Sequence, residues 1–218
     1  MHQLGSLEDT IAAISTPLGQ GGIGIIRLSG KEAVSIAQEM FMGKVKKKPT
    51  LLKNHTVHYG WVVKKINGGE EIVDEALLTL MRAPNSYTKE DVVEFSCHGG
   101  IVSLRAILDL TLELGARLAE PGEFTKRAFL NVRIDLAQAE AVLDIIQSKT
   151  SAFLRVSTNQ LKGELSLKLE SIREQLMNGY VELEALVNFP DDDVDSVQPE
   201  GRRRKLPEVI RTPPARWM

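Results

Sequence analysis

Glu94 stands in the run Asp-Val-Val-Glu-Phe-Ser-Cys, whose other members read as buried strand. A carboxylate facing such an interior needs donors, because an unpaired buried charge is costly. Two adjacent N–H groups on a guanidine-like heterocycle would occupy both its oxygens, the geometry that makes arginine–carboxylate pairs strong. A solvated place on an edge strand would suit Glu94 equally, and periodicity leaves both open. Arg27, near the end of the Ile-rich run Ile23–Leu28, poses the same choice. Its rigid fork fits carboxylate or phosphate, but the side chain could also snorkel from a sheet edge. The densest charged stretch runs from Ala119 to Asp135 (Ala-Glu-Pro-Gly-Glu-Phe-Thr-Lys-Arg-Ala-Phe-Leu-Asn-Val-Arg-Ile-Asp). Polar connectors on rigid scaffolds often carry binding function, yet a capped helix with solvated charges is the plainer expectation.

Three other patterns carry less. Gly19-Gln-Gly-Gly-Ile-Gly24 satisfies Gly-x-Gly-x-x-Gly, but these glycines lead into an Ile-rich strand. A dinucleotide site needs the last glycine to open a helix facing the pyrophosphate, so a tight strand connection is expected instead. No Gly-x-x-x-x-Gly-Lys-Ser/Thr occurs in the 218 residues, and Ser29-Gly-Lys-Glu32 puts Glu where a hydroxyl should meet magnesium. His55 and His58 are three apart in a strand-like run, so their imidazoles should diverge rather than share a metal. Cys97 and His98 are strand neighbours whose side chains should point apart, which favours a buried thiol beside a loop histidine.

The elements that position these residues follow from periodicity. Thr10–Ser15 and Ile23–Leu28 read as strands joined by a Gly-rich loop. Ser29 and Glu32 suggest a capping box opening a helix with Ala33, Ile36, Ala37 and Met40 on its apolar face. Val57, Tyr59, Trp61 and Val63 alternate as in a half-buried strand, and Asn67-Gly-Gly69 supplies a hairpin into Glu75–Leu80. Val92–Cys97 is a further strand. Gly99-Gly100 turns into a helix with Ile101, Leu104, Leu108 and Leu112 that stops at Gly115. From about Glu123 the pattern is helical: Phe124–Leu130, then a helix capped by Asp135 with Leu136, Ala139, Val142, Leu143 and Ile146 on one face. A third run spans Ser151 to Val187 as one long amphipathic helix needing a partner, and Phe189-Pro190 ends it. The fold class is α+β: a mixed α/β domain over 1–122, a partial all-α helical domain over 123–197, and a tail over 198–218.

Composition narrows the class. Hydrophobic residues at 43% and charged residues at 26% suit a packed core. The net charge of −2 conceals five lysines in 44–53, four aspartates in 191–195 and a basic run at 202–205. Nucleic-acid contact would therefore come from a local patch or another chain. A single cysteine rules out an intrachain disulfide and fits a reducing compartment. The first residues lack a signal pattern and no run approaches the roughly 20 apolar residues of a membrane span. The cytoplasm is the expected location, with no membrane partner. Residues 200–218 hold three of nine prolines and six basic residues, a composition expected to be poorly ordered and suggestive of a truncation or frame change near residue 201.

These pieces, taken in order, resemble one family. Asp9 to Gly30 (Asp-Thr-Ile-Ala-Ala-Ile-Ser-Thr-Pro-Leu-Gly-Gln-Gly-Gly-Ile-Gly-Ile-Ile-Arg-Leu-Ser-Gly) looks like the N-terminus of the bacterial tRNA-modification GTPases called MnmE or TrmE. Pro84-Asn-Ser-Tyr-Thr-Lys-Glu-Asp91, Cys97-His-Gly-Gly100, Pro121-Gly-Glu-Phe-Thr-Lys-Arg-Ala-Phe-Leu-Asn131, Asp135-Leu-Ala-Gln-Ala-Glu-Ala141 and Asn188-Phe-Pro-Asp-Asp192 match in sequence order. The resemblance implies an N-terminal domain similar to the folate-binding part of the aminomethyltransferase of glycine cleavage, which also forms a homodimer. It implies a helical domain interrupted by a GTPase domain, whose GTP, Mg and K sites fall outside these residues.

With the flavin-dependent partner MnmG (GidA), the family adds aminomethyl or carboxymethylaminomethyl groups to carbon 5 of the wobble uridine (U34) of tRNA. The carbon donor is a tetrahydrofolate derivative, 5-formyl- or 5,10-methylene-tetrahydrofolate. The family's folate contacts fall on Arg27, Glu94 and Arg133; no catalytic residue or metal ligand is assigned. Arg133 stands where lysine is commoner, and Lys89 where glycine is usual, which matters if that backbone has positive φ. Two other functions remain open: a non-catalytic dimerisation module from a truncated reading frame, and a stand-alone folate-dependent transferase.

Overall fold

Strands whose buried side chains fall largely on one side build a sheet with one apolar face, and helices cover that face. The computed structural model of the chain describes residues 9–44 and 48–188. It divides into two compact units, Met1–Ala139 and Glu140–Met218. In the first unit, β1 (Ile11–Ile14), β2 (Gly21–Ser29), β3 (Phe41–Gly43), β4 (Thr56–Ile66), β5 (Gly69–Met81), β6 (Val92–Gly99) and β7 (Arg117–Leu118) form one sheet ordered β3-β4-β5-β6-β2-β1-β7. All its pairings are antiparallel except β1 with β7. Helices α1 (Ala33–Met40) and α2 (Ile101–Glu113) pack on one face. Ile26, Leu28, Leu78, Leu80, Val93 and Phe95 meet Ala33, Ala37, Met40, Leu104 and Ile107 there, all fully or almost fully buried. Apart from the two alanines, each such side chain contributes about 1.5–3 kcal/mol by leaving water. The α+β class expected from the sequence is the one observed.

Most local expectations hold, with longer elements. The Asn67-Gly-Gly hairpin joins β4 to a β5 of thirteen residues, with Gly68 at φ +106°. Gly115, at φ +105°, follows α2 as expected for a helix stop. Asp135 caps α4 (Leu136–Gln147): its carboxylate accepts from the Gln138 N–H, and the Gln138 side chain accepts from the Asp135 N–H. The two short strands β3 and β7 escaped periodicity, since three and two residues show no alternation.

Two helical expectations need correction. Ser29 is not a helix cap. It lies in β2, and its hydroxyl binds Thr88 and Glu90, while the Glu32 N–H is satisfied by Thr10 Oγ1. The long run is not one helix either: α5 (Ser151–Leu161) and α6 (Glu164–Asn188) are separated at Gly163, whose φ of +88° breaks α geometry. A broken helix can keep the same apolar period on both sides, which is why the pattern concealed the break. The end of the run at Phe189-Pro190, the acidic segment and the basic tail lie outside the described residues.

Candidate ligand site

The face of the sheet turned away from α1 and α2 carries the candidate residues. Arg27 on β2 and Glu94 on β6 are direct cross-strand partners, so their side chains share that face. Both strands are interior, so of the two positions left open by periodicity the edge one is not taken by either residue. Arg27 Nε donates to Glu94 Oε1 at 2.6 Å, with the two side chains 28% and 19% exposed. The Arg27 guanidinium carbon lies 5.7 Å from the Tyr87 ring centroid and 5.5 Å from that of Phe124. Arg133 comes from beyond a short helix, α3 (Glu123–Leu130), and its guanidinium carbon lies 4.8 Å from the same Tyr87 ring. Arg27 and Arg133 thus meet at one tyrosine, and Glu94 joins them through its bond to Arg27.

This arrangement suits a planar, polar ligand. Arg27 and Glu94 are partly buried but keep access to water, so the pair contributes about 0.2–1 kcal/mol. Charge-assisted hydrogen bonds from a ligand to Glu94 are worth about 1.5–3 kcal/mol each, enough to replace it. Tyr87 and Phe124 offer aromatic surface, and Arg27 and Arg133 offer N–H forks for carbonyl or carboxylate oxygens. Sequence reading did not single out the two aromatics. The available signal was their place within Pro84–Asp91 and Pro121–Asn131, the two most distinctive connector motifs.

The connectors are tied to each other and to the sheet. The Tyr87 hydroxyl pairs with Thr125 Oγ1 at 2.9 Å, Asn131 Nδ2 donates to the Thr88 carbonyl at 2.7 Å, and Lys89 Nζ donates to the Val132 carbonyl at 2.9 Å. Lys89 has φ +59° and Val132 φ +56°. The position where glycine is usual therefore does require left-handed backbone, and lysine occupies it under strain.

The stretch 119–135 departs furthest from expectation, because its central charges are not solvated. Arg127 is 2% exposed. Its guanidinium donates to the Asp9 carboxylate, to the Asp9 carbonyl at 2.8 Å, to Glu90 Oε2 at 3.1 Å and to Glu123 Oε1 at 3.3 Å. Arg117 adds bonds to Asp9 Oδ2 and Glu123 Oε1, each at 2.6 Å. Burial alone would raise the pKa of Asp9 and Glu123. Hydrogen bonds from Arg117 and Arg127, with the Glu120 N–H also serving Glu123, outweigh it and hold both below the ordinary carboxylate range.

The remaining candidates separate from this site. Cys97 is buried, its thiol directed to the Gly24 carbonyl at 3.5 Å, and burial, with a smaller contribution from Asp74, pushes its pKa up to about 11. His98 is a strand residue rather than a loop one; its Nδ1 lies 2.6 Å from Asp74 Oδ1, and that hydrogen bond raises its pKa. His55 precedes β4, while His58 Nε2 pairs with Thr56 Oγ1 at 2.7 Å. Among the described residues no group of His, Cys, Asp and Glu could hold a metal ion. The glycine motif is a strand connection: β2 starts at Gly21, and a Cβ on Gly24 would lie 2.5 Å from Leu104. No described helix is long and apolar enough to cross a membrane.

Comparison with known proteins defines the class. Residues 10–133 match the profile of the GTP-binding protein TrmE N-terminus, and residues 136–212 match the MnmE helical domain. The chain is 50% identical over 204 residues to the tRNA modification GTPase MnmE of Carboxydothermus hydrogenoformans, covering 94% of this chain and 44% of that protein. It is 52% identical over 190 residues to the MnmE of Acetivibrio thermocellus (87% and 40%), and 45% identical over 212 residues to that of Bacillus velezensis (94% and 46%). The chain therefore belongs to the MnmE (TrmE) family of tRNA modification GTPases. It spans less than half the length of these relatives and corresponds to their N-terminal part.

Proposed function

We propose that this chain is the folate-binding N-terminal part of a tRNA modification GTPase. The meeting of Arg27 and Arg133 at Tyr87, with Glu94 bonded to Arg27, from separated stretches of sequence, supports this reading most directly. Glu94 would accept from the amide and amino edge of the pterin. Arg27 and Arg133 would meet carbonyl or carboxylate oxygens. Bound tetrahydrofolate, as the 5-formyl or 5,10-methylene form, supplies the one-carbon unit. The protein's own residues bind and orient it, and none is assigned as a general acid or base.

In the whole enzyme the modified position is carbon 5 of the wobble uridine of tRNA, with MnmG as partner and the cytoplasm as location. GTP, Mg and K belong to a domain outside these 218 residues, which contain no P-loop. The N-terminal unit forms the homodimer. Val57, Tyr59 and Leu77, exposed on neighbouring strands, give a second copy apolar surface to cover. Calorimetric titration with 5-formyltetrahydrofolate tests the ligand. Saturable one-to-one binding, lost in Glu94→Ala, is expected; equal affinity in Glu94→Ala and the parent would remove Glu94 from the site. Light scattering tests the dimer.

A further inference from the structure

Tyr87 and Phe124, the two rings beside Arg27, belong to segments with little structure of their own. Residues 82–91 form a connector without helix or strand, apart from the bonds that fasten it. α3 has only eight residues, too few to be stable alone. Something must set the separation of these segments before a ligand arrives. Each ring stands three residues before a member of one buried ion pair: Tyr87 before Glu90, and Phe124 before Arg127. Arg127 Nη1 lies 3.1 and 3.3 Å from the two Glu90 oxygens. The same guanidinium reaches Asp9, at the entry to β1, and Glu123, on its own helix.

Glu90 is held from the sheet side as well. Ser29 Oγ donates to Glu90 Oε2 at 2.7 Å and lies 2.6 Å from Thr88 Oγ1. Ser29 is two residues beyond Arg27 on β2, on the same face of the sheet. The chain of contacts therefore runs from the strand carrying Arg27, through Ser29 and Glu90, to Arg127 and α3. We propose that Arg127 is a positioning residue for the ligand site: through Glu90 it fixes connector 82–91 against α3, and so fixes Tyr87 and Phe124 around Arg27. A planar fork can serve Asp9, Glu90 and Glu123 together, whereas an ammonium is a point charge that cannot span all three. The one buried side-chain polar atom left without a partner among the described residues is Arg127 Nε. The guanidinium is thus placed for its terminal nitrogens. The inference rests on the folate reading only for its choice of ligand.

The test uses Glu90→Gln and Arg127→Lys in the 218-residue chain. Hydrogen–deuterium exchange is measured without ligand, and affinity for 5-formyltetrahydrofolate is measured by calorimetry. Exchange in 84–91 and 123–130 should accelerate at least about tenfold while 56–81 is unchanged. Affinity should fall about tenfold or more, with Arg127→Lys less impaired than Arg127→Met. Unaltered exchange in 84–91, or accelerated exchange with affinity within about twofold of the parent, would overturn the proposal. If Arg127→Lys does not fold, Glu90→Gln decides alone, since Asp9 and Glu123 still hold Arg127. If the parent binds no folate, the folate reading fails by itself. The positioning role then stands with accelerated exchange confined to 84–91 and 123–130, and falls without it.

Discussion

Arg27 and Arg127 make the same kind of bond in opposite surroundings. Arg27 is partly exposed on the sheet face away from α1 and α2, with one hydrogen bond to a partly buried glutamate and the Tyr87 and Phe124 rings nearby. Arg127 is enclosed, with three carboxylates and a backbone carbonyl around its two terminal nitrogens. The first pair is weak because water and salt compete for it, so a ligand can take it over. The second is strong in the sense that breaking it strands charges away from water. Identical residue types thus yield an exchangeable contact in one place and a fixed joint in the other, and burial decides which.

The largest expected effect is on the enclosed cluster. Arg127→Met leaves Glu90 without its cation and Asp9 and Glu123 with Arg117 alone, and should cost about 3–5 kcal/mol in urea unfolding. A loss below about 1 kcal/mol would place the cluster with ordinary surface pairs and dissolve the comparison. Glu94→Ala should do the reverse. Its unfolding free energy should change by less than about 1 kcal/mol, while folate affinity falls about tenfold or more, a loss of about 1.4 kcal/mol in calorimetry.

Acid should separate the two regions further. Asp9 and Glu123 have depressed pKa values. Their contribution is complete above the ordinary carboxylate pKa and is lost as pH falls through their lower folded values. Stability followed by urea unfolding should fall more steeply with acid in the parent than in Asp9→Asn or Glu123→Gln. The Asp74–His98 pair supplies the opposite sign on the histidine side. A raised folded pKa stabilises fully below the ordinary histidine value and is lost as pH rises through the folded one. Proton NMR titration of His98 should show the raised value, and Asp74→Asn should return it toward the ordinary one.

The smallest effects concern the connector. Lys89→Gly should relieve left-handed strain of about 1 kcal/mol, partly offset by the lost bond to Val132 and a freer unfolded chain. Thermal unfolding would read the balance, with a small net gain expected. Arg133→Lys should weaken folate binding only a few-fold, since the cation over Tyr87 survives while stacking worth about 0.5–1 kcal/mol is reduced.

Much of this was legible in the residues. The apolar runs Ile23–Leu28 and Val92–Cys97 marked interior strands, but the alternation at Val57–Val63 pointed to the wrong face: Val57 and Tyr59 are exposed while Val62 enters the core, and a bulge between Val62 and Val63 shifts the register. Asp135 announced its cap, and Asn67-Gly-Gly its hairpin. Arg27, Glu94 and Arg133 were identified through ordered motifs and the family resemblance; local periodicity could not choose between a site and a solvated edge for Arg27 or Glu94. Ser29 misled, because a capping-box spacing also occurs when a strand-end serine is drawn to another segment. Glu123 and Arg127 read as solvated charges for a similar reason, and nothing singled out Asp9 or Glu90. Asp9 and Glu90 lie 118 and 37 positions from Arg127, and nothing local records that they will join Glu123 around its guanidinium.

The sequence by itself determined the family, the α+β class and five of the seven strands of the sheet. Only the tertiary structure decided which arginine stays exchangeable and which becomes a joint. Hydrophobic period is a local property, carried by neighbours along the chain. Desolvation is not: it depends on what the rest of the fold places over a charge, and here that cover comes from residues up to 118 positions away.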